Sequence, residues 1–453
     1  MMTKKLIIFT LLSLAFTFDA RNVFAQRDRE ELDSYLPQKS SSPTQDKSSL
    51  KEKLRAKAKE KNKEKDSKIK IIPIIDISVL GTFSQVIDSE EFFGIDANIL
   101  FAPTVKFDDQ NFLIPLYTAT YSELRQIVGE EEGGLLVDRL SNHNLTLEFK
   151  HIASPEWTYR IKALGRVSLR KEEDIGWGDG LYDYWDLGGG GSVEYFFDNT
   201  NELKQSLTIG SEWYFRNYPN FISLASLASV TDIERHEKNY IGTKPTFRYM
   251  YKKPRFSVIF SYSPLYKLYV DKKTINIDGV LTGHKRKDWL HYGSIDTTWF
   301  PEESRFIYNL MLTTIINDSN QGYYDANGTP FDLTDDTFTP QYYDYWSLIV
   351  NPNIIYPIKL ENGHNFIFKF GYAYMIRSYD DRQVQLADAT YTNNDQLDES
   401  HTIKGQITYP LSDNFSVIGS ANFTLAKSNQ EFETFYRYTY RSFYATAGVR
   451  YSY

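Results

Sequence analysis

"SFYATAGVRYSY", residues 442–453, closes the chain and alternates with a period of two. Phe443, Ala445, Ala447, Val449, Tyr451 and Tyr453 are apolar or aromatic, while Ser442, Tyr444, Thr446, Gly448, Arg450 and Ser452 are mostly small or polar. Successive side chains of an extended chain point to opposite sides, so this pattern is a strand with one apolar face. An exposed aromatic edge strand in a soluble protein would invite aggregation. The same rhythm recurs upstream. In 366–376 one face carries Phe366, Phe368, Phe370, Tyr372, Tyr374 and Ile376, and the other carries Ile367, Lys369, Gly371, Ala373 and Met375, then Arg377. In 415–425 Phe415, Val417, Gly419, Ala421, Phe423 and Leu425 oppose Ser416, Ile418, Ser420, Asn422 and Thr424.

The strands are joined by seven short turns: "FDDQNF" (107–112), "SPEW" (154–157), "FDNTNE" (197–202), "KKPR" (252–255), "FPEESRF" (300–306), "KLENGHNF" (359–366) and "PLSDNF" (410–415). Each is rich in Asp, Asn, Pro or Gly, which set turn dihedrals or bond their own backbone. Most are flanked by aromatics. Between them lie longer stretches without clear periodicity, such as 127–142, 218–238, 318–340 and 380–399. Seven turns and eight loops separate sixteen strands, and an even number brings both ends to one side. A soluble sandwich would not need an apolar face on every strand with aromatics fixed at the turn end. Aromatic rings there suit the headgroup level of a bilayer. The fold expected is an all-β transmembrane antiparallel barrel of about sixteen strands over residues 70–453.

Composition agrees. The chain has 453 residues with 34 Tyr and 30 Phe, yet its mean hydropathy is only −0.46. The absence of cysteine excludes disulfides, thiolate metal sites and a cysteine nucleophile. Residues 1–25 read as a secretory signal: Lys4 and Lys5, the apolar run "LIIFTLLSLAFTF" (6–18), then "VFA" (23–25) before the cleavage site. Residues 26–69 read as a Lys-rich periplasmic linker, either simply solvated or attached to anionic lipid heads. The net charge is −8, and the basic N-terminal segments leave about −15 on residues 71–453. A secretory address argues against nucleic acid as a partner.

Signal, turn-and-loop hairpins and terminal aromatic strand together resemble the bacterial outer-membrane β-barrel superfamily, porin-like in character. The resemblance implies an outer membrane of a Gram-negative bacterium, with the N-terminal linker in the periplasm. It also implies that Val449, Tyr451 and Tyr453 serve as the signal read by the barrel-assembly machinery, Tyr standing where the superfamily usually has Phe.

No enzyme motif emerges. "GDG" (178–180) and "GGGG" (188–191) lack a following helix, so phosphate-loop readings fail and the glycine run relieves packing in a strand. His143, His151, His284, His291 and His364 show no metal-ligand spacing. "DANGTPFDLTDD" (325–336) misplaces the glycine of a calcium loop. No catalytic residue, metal or cofactor is therefore expected.

The informative constellation is the inward face. With the apolar side of 157–170 toward lipid, Arg160, Lys162, Arg166 and Arg170 point inward. Other strands add Lys204, Arg216, Lys244, Arg248, Lys369, Arg377, Lys404 and Arg450, with Lys106, Lys150 and Lys267 on the same register count. Inward acids are Asp76, Asp96, Glu148, Asp186, Glu194, Glu212 and Asp296. Charges lining a lumen select ions and solutes, unless they pair with one another across the wall. The loop 218–236, with "ISLASLASV" at its centre, could constrict the lumen or cover its rim. The function expected is a passive pore for small hydrophilic solutes with an anion preference. An export conduit for an anionic polysaccharide and a non-conducting adhesion or structural barrel are the alternatives. The expected partners are outer-membrane lipids, the assembly machinery and those solutes.

Overall fold

A computed structural model of the protein describes residues 69–87, 91–126, 136–171, 176–221, 236–325, 337–361, 363–433 and 438–453. The expected signal peptide, nearly all of the basic linker and the centres of the loops 218–236 and 325–336 lie outside the described residues.

Among the described residues, sixteen antiparallel strands form one closed sheet. They are β1 (Lys70–Ile72 and Ile75–Val86), β2 (Glu91–Phe101 and Thr104–Lys106), β3 (Asn111–Gln126), β4 (Leu136–Ile152), β5 (Trp157–Lys171), β6 (Tyr184–Asn199), β7 (Lys204–Asn217) and β8 (Tyr240–Lys253). The second half is β9 (Phe256–Tyr262 and Leu265–Ile275), β10 (Leu281–Trp299), β11 (Ile307–Ser319), β12 (Tyr345–Lys359), β13 (Asn365–Gln385), β14 (Tyr391–Pro410), β15 (Phe415–Ser428) and β16 (Tyr440–Ser452). The breaks within β1, β2 and β9 fall at Pro73, Pro103 and Pro264, which lack the N–H that a ladder requires. A small hairpin, Tyr323–Asp325 with Thr337–Thr339, lies between β11 and β12.

Each strand pairs with its sequence neighbour, and β16 returns to β1 from Asp76↔Ser452 to Val86↔Ser442. The seam continues one residue further: Tyr453 N–H donates to Ile75 O at 2.8 Å and Ile75 N–H to Tyr453 O at 2.9 Å. Closure leaves no free sheet edge, which is how a terminal aromatic strand is kept from aggregating. All seven short turns connect strands at the end of the barrel where β1 begins and β16 finishes. Their chemistry is local: Asp108 Oδ1 accepts from the backbone N–H of Gln110 (2.8 Å) and Asn111 (2.7 Å), and Ser154 Oγ accepts from those of Glu156 and Trp157, both at 3.2 Å.

The outer face is apolar all round, with Ile161 68 %, Leu187 66 % and Phe93 71 % exposed. So much exposed apolar surface fits hydrocarbon and not water. At the turn end Trp157, Phe197, Phe256, Trp299, Phe306 and Phe415 form an aromatic girdle, with Trp157 on Tyr195 (4.7 Å) and Phe306 on Tyr356 (4.8 Å). No described helix is long and apolar enough to cross a membrane; the crossing is by strands.

The loop end differs from expectation. The stretch 380–399 is mostly strand: β13 runs to Gln385, the turn occupies 386–390 and β14 starts at Tyr391. Likewise β4 begins at Leu136, inside the stretch 127–142 read as loop, and 276–280 alone joins β9 to β10. These hairpins rise past the membrane, where neither face must be apolar, so the sequence loses its period of two while the ladder continues.

Candidate functional site: the inner wall and its tyrosine–cation band

Inward and outward residues alternate as the lipid-facing reading of β5 requires. Arg160, Lys162, Arg166 and Arg170 lie on the inner face, opposite exposed Trp157, Tyr159, Ile161 and Val167. Cross-strand register then stacks rows of charge. Arg166 faces Asp186, which faces Arg216, which faces Tyr240. Two inward rows lower, Lys162 faces Gly190, then Glu212, then Lys244.

The acids are used by the bases beside them. Arg160 reaches Glu194 at 2.7 Å and Glu148 at 3.5 Å. Lys162 and Arg166 share Glu212, at 2.7 and 2.6 Å. Arg216 binds Asp186 through both arms of its fork, Nε to Oδ1 at 2.7 Å and the terminal nitrogen to Oδ2 at 2.8 Å, the bidentate geometry that suits a guanidinium. Arg450 binds Asp76 at 2.5 Å beside the β1–β16 seam. Arg170 is buried, and its backbone N–H donates to Asp183 Oδ1 at 2.6 Å. The structure therefore brings Arg160, Lys162, Arg166, Arg216 and Lys244 together on β5, β7 and β8. It places Arg248 opposite Thr208 and Ser261, Lys204 at the exposed turn end of β7, and Lys369, Arg377, Lys404 and Arg450 on the other arc, on β13, β14 and β16. Val449 and Tyr453 are exposed on the outer face, and Tyr451 packs against Phe415 there in a tilted arrangement, centroids 4.9 Å apart.

The glycines of "GGGG" have a use on this wall. Tyr214 projects inward with Gly188 opposite it on one side and Gly242 on the other. A Cβ on Gly242 would lie 2.6 Å from the Tyr214 ring, and one on Gly188 would lie 2.6 Å from the Tyr214 Cβ. Glycine on both flanks is what seats the ring flat on the wall.

Around and above these rows stands a band of aromatic rings and cations, of which sequence parity gives Arg216, Lys267 and Arg377 but not the tyrosines, Lys238, Arg286 or Arg382. Leu164, Tyr214, Tyr218 and Tyr240 form a buried cluster, packed by Tyr184, Phe221, Leu265 and Tyr269. The Arg216 guanidinium lies 3.7 Å from the Tyr184 ring centroid. Arg286 sits between Tyr343 (4.4 Å) and Tyr269 (5.0 Å) and binds Asp288 at 2.8 Å. Arg377 lies over Tyr345 at 4.7 Å, and Arg382 over Tyr342 at 4.6 Å. Cation–π stacking of this kind is worth roughly 0.5–2 kcal/mol per pair. The tyrosines escape sequence reading because an alternating aromatic is assigned to the lipid face, whereas Tyr214, Tyr240 and Tyr269 share the parity of Arg216 and Lys267. The number of tyrosines, more than a lipid belt requires, was the available signal.

Lys238 is the cation most affected by its surroundings. It precedes β8 in the turn after the loop, half-buried, with its ammonium 4.4 Å from the Tyr182 ring and 4.9 Å from that of Phe221. Burial first, and then Lys272, Arg286 and Lys267, push its pKa down to about 7, against one favourable charge, Glu237. In the same region Asp344, in the turn before β12, is raised to about 6 by burial and by Asp318, Asp380 and Asp288. The upper lumen thus holds like charges of both signs close together, with Asp288, bound to Arg286, lying between the basic and the acidic groups.

A closed sixteen-strand antiparallel barrel with an apolar belt, an aromatic girdle and a charged interior has the architecture of a transmembrane β-barrel. No protein-family model matches the chain, and no curated protein matches it. Among solved structures it is similar in architecture to the trimer form of OmpT, an outer membrane protein of Vibrio cholerae (TM-score 0.43, 10 % identity, 84 % of this chain and 99 % of that one). It is also similar to an anion-selective porin from Comamonas acidovorans (0.41, 11 %, 86 % and 100 %) and to OccK2 of Pseudomonas aeruginosa in complex with glucuronate (0.42, 9 %, 84 % and 98 %). At these identities and scores the likeness carries no residue role to this chain.

Proposed function

We propose that the barrel is an outer-membrane channel through which small hydrophilic solutes diffuse passively, with a preference for anions. Sixteen strands enclose a lumen wide enough for water. The observation that supports the preference most is the crowding of Lys238, Lys267, Lys272 and Arg286 at the loop end, which adds to burial in depressing Lys238. An anion entering there relieves that repulsion, and a cation adds to it. The Arg160–Arg170 ladder, largely ion-paired, serves as a polar wall below this entrance, and Lys204, Lys244, Arg248, Lys369, Lys404 and Arg450 line the remainder. The barrel fold by itself is compatible with an enzyme; the reading as a channel rests on this interior. Outer-membrane lipids surround the belt, the assembly machinery reads Val449, Tyr451 and Tyr453, and the N-terminal linker lies in the periplasm.

One observation favours the non-conducting alternative: Gln321, Arg382, Gln396 and Gln430 are buried near the loop end. Uptake into vesicles carrying the purified protein separates the two readings. Gluconate should enter faster than glucose, a neutral solute of similar size. Entry of neither would favour the closed barrel, and faster entry of glucose would remove the anion preference.

A further inference from the structure

The outer face carries a repeated device. Tyr117 and His143, Tyr262 and His291, and Tyr372 and His401 form diagonal cross-strand pairs, each with the tyrosine hydroxyl on His Nδ1, at 2.9, 2.8 and 2.6 Å. In each the tyrosine stands opposite the residue two positions after the histidine: Leu145, Gly293 and Ile403. His143 is nine positions before the end of β4, His291 eight before the end of β10 and His401 nine before the end of β14. A strand rising ~3.3 Å per residue at a tilt of ~40° gains about 2.5 Å of height per residue, so the three pairs stand about 20–23 Å above the turn-end girdle. That is near the top of a ~25 Å apolar band. The pairs mark the outer membrane interface.

Above one of them the surface is basic. On β10 the outward positions Lys285 and Lys287 are exposed, followed by Trp289 and His291. Lys273 of β9 stands directly opposite Lys285, and like charges in direct opposition destabilise a sheet pair. Lys287 and Lys285 are twelve and fourteen positions before Trp299, about 30 and 35 Å up on the same count, within the headgroup layer. The nearby acids are Asp271 on β9 and Asp318, opposite Trp289 on β11. The other two pairs have no such excess: Glu123 near His143 is bound by Arg139 at 3.3 Å, and Glu399 near His401 accepts from Tyr374 at 3.2 Å.

We propose that the outward face of β9 and β10 is a headgroup site for a phosphorylated glycolipid of the outer leaflet. Lys285 and Lys287, with Lys273 beside them, meet its phosphates, and Trp289 with the Tyr262–His291 pair holds the boundary between sugar and acyl chains. With the Tyr262 hydroxyl donating to Nδ1, His291 keeps a proton on Nε2 and remains a donor toward the headgroup. Lysines spread over two levels suit a headgroup with more than one phosphate better than the single phosphate of a phospholipid. The inference concerns the outer wall and does not rest on the channel reading.

The test is lipid binding to the full chain in detergent micelles, read by native mass spectrometry, with bis-phosphorylated lipid A, dephosphorylated lipid A and phosphatidylglycerol as probes. Bis-phosphorylated lipid A should bind at least ten-fold more tightly than either of the others. K285Q/K287Q should lose most of that margin, while K285R/K287R keeps it. Equal binding of phosphatidylglycerol would reduce the patch to a general anionic surface and overturn the assignment. So would equal binding of dephosphorylated lipid A, or a margin unchanged in K285Q/K287Q; the comparison of lipids on the unaltered protein decides even if a variant fails to fold.

Discussion

Replacing Glu212 with Gln keeps the shape of the inner wall and removes the carboxylate that Lys162 and Arg166 share. Glu212 has 12 % of its side chain exposed, whereas Lys162 and Arg166 have 32 % and 30 %, so the cations can re-solvate into the lumen. Breaking a fully buried pair costs about 3–5 kcal/mol; with this solvation the expected cost is roughly 1–2 kcal/mol, which the barrel should tolerate. The electrical effect is larger in consequence. A unit charge ~8 Å from a passing ion acts with about 0.5–2 kcal/mol between water-like and surface-like dielectric values. Screening at ~0.15 M salt, with a Debye length of ~8 Å, reduces this to about 0.2–0.8 kcal/mol. The change has opposite sign for anions and cations, so their permeability ratio should rise roughly 2- to 15-fold toward anions. The assay is the reversal potential of E212Q in a planar bilayer under a salt gradient, after heat-modifiable gel mobility confirms folding. A conducting, folded variant with the reversal potential of the unaltered protein would refute the claim that this wall faces the permeating ions.

Three further outcomes are expected. R160Q/R166Q/R170Q should stay folded and move the reversal potential toward cations, because three inward cations are removed, Glu194 loses its partner, and Glu212 and Asp186 each keep one cation, Lys162 and Arg216, in place of two; an unmoved potential would mark the ladder as wall alone. Anion preference should decline as pH rises through about 7, since the lowered pKa of Lys238 means that its charge is lost there, and K238M should flatten that step in reversal potential against pH. Deleting Ser452 and Tyr453 removes the two hydrogen bonds to Ile75 at the seam and should lower the temperature at which the barrel converts to its unfolded gel mobility; an unchanged temperature would show that the seam is held elsewhere.

How much of this was legible depended on where each residue sits relative to the membrane. Within the belt the lipid imposes an apolar face on every strand, so 366–376 and 415–425 alternate clearly and their apolar faces are the exposed ones in the structure. The short turns were legible for a local reason: residues such as Asp108 and Ser154 cap their own turn, and no distant contact is needed. Above the belt that discipline lapses. The stretch 380–399 reads as loop although all but the turn at 386–390 is strand, because neither face meets hydrocarbon there. Within the site, parity placed Arg160, Lys162 and Arg166 on the inner face, but their sharing of Glu194, Glu212 and Asp186 depends on cross-strand register over β5, β6 and β7, which alternation along a single strand does not fix. Tyr214 and Tyr240 were hidden by the assignment of aromatics to lipid, and Lys238, Arg286 and Arg382 by lying in or near stretches without period.

Whether the barrel conducts, and which ion it prefers, is read from the current carried by the unaltered protein in a planar bilayer separating tenfold different concentrations of potassium chloride. An open channel that prefers anions gives discrete conducting steps and a reversal potential on the chloride side of zero. Conducting steps with a potential on the potassium side would contradict the anion preference, and a folded, inserted barrel that carries no current would contradict the channel itself.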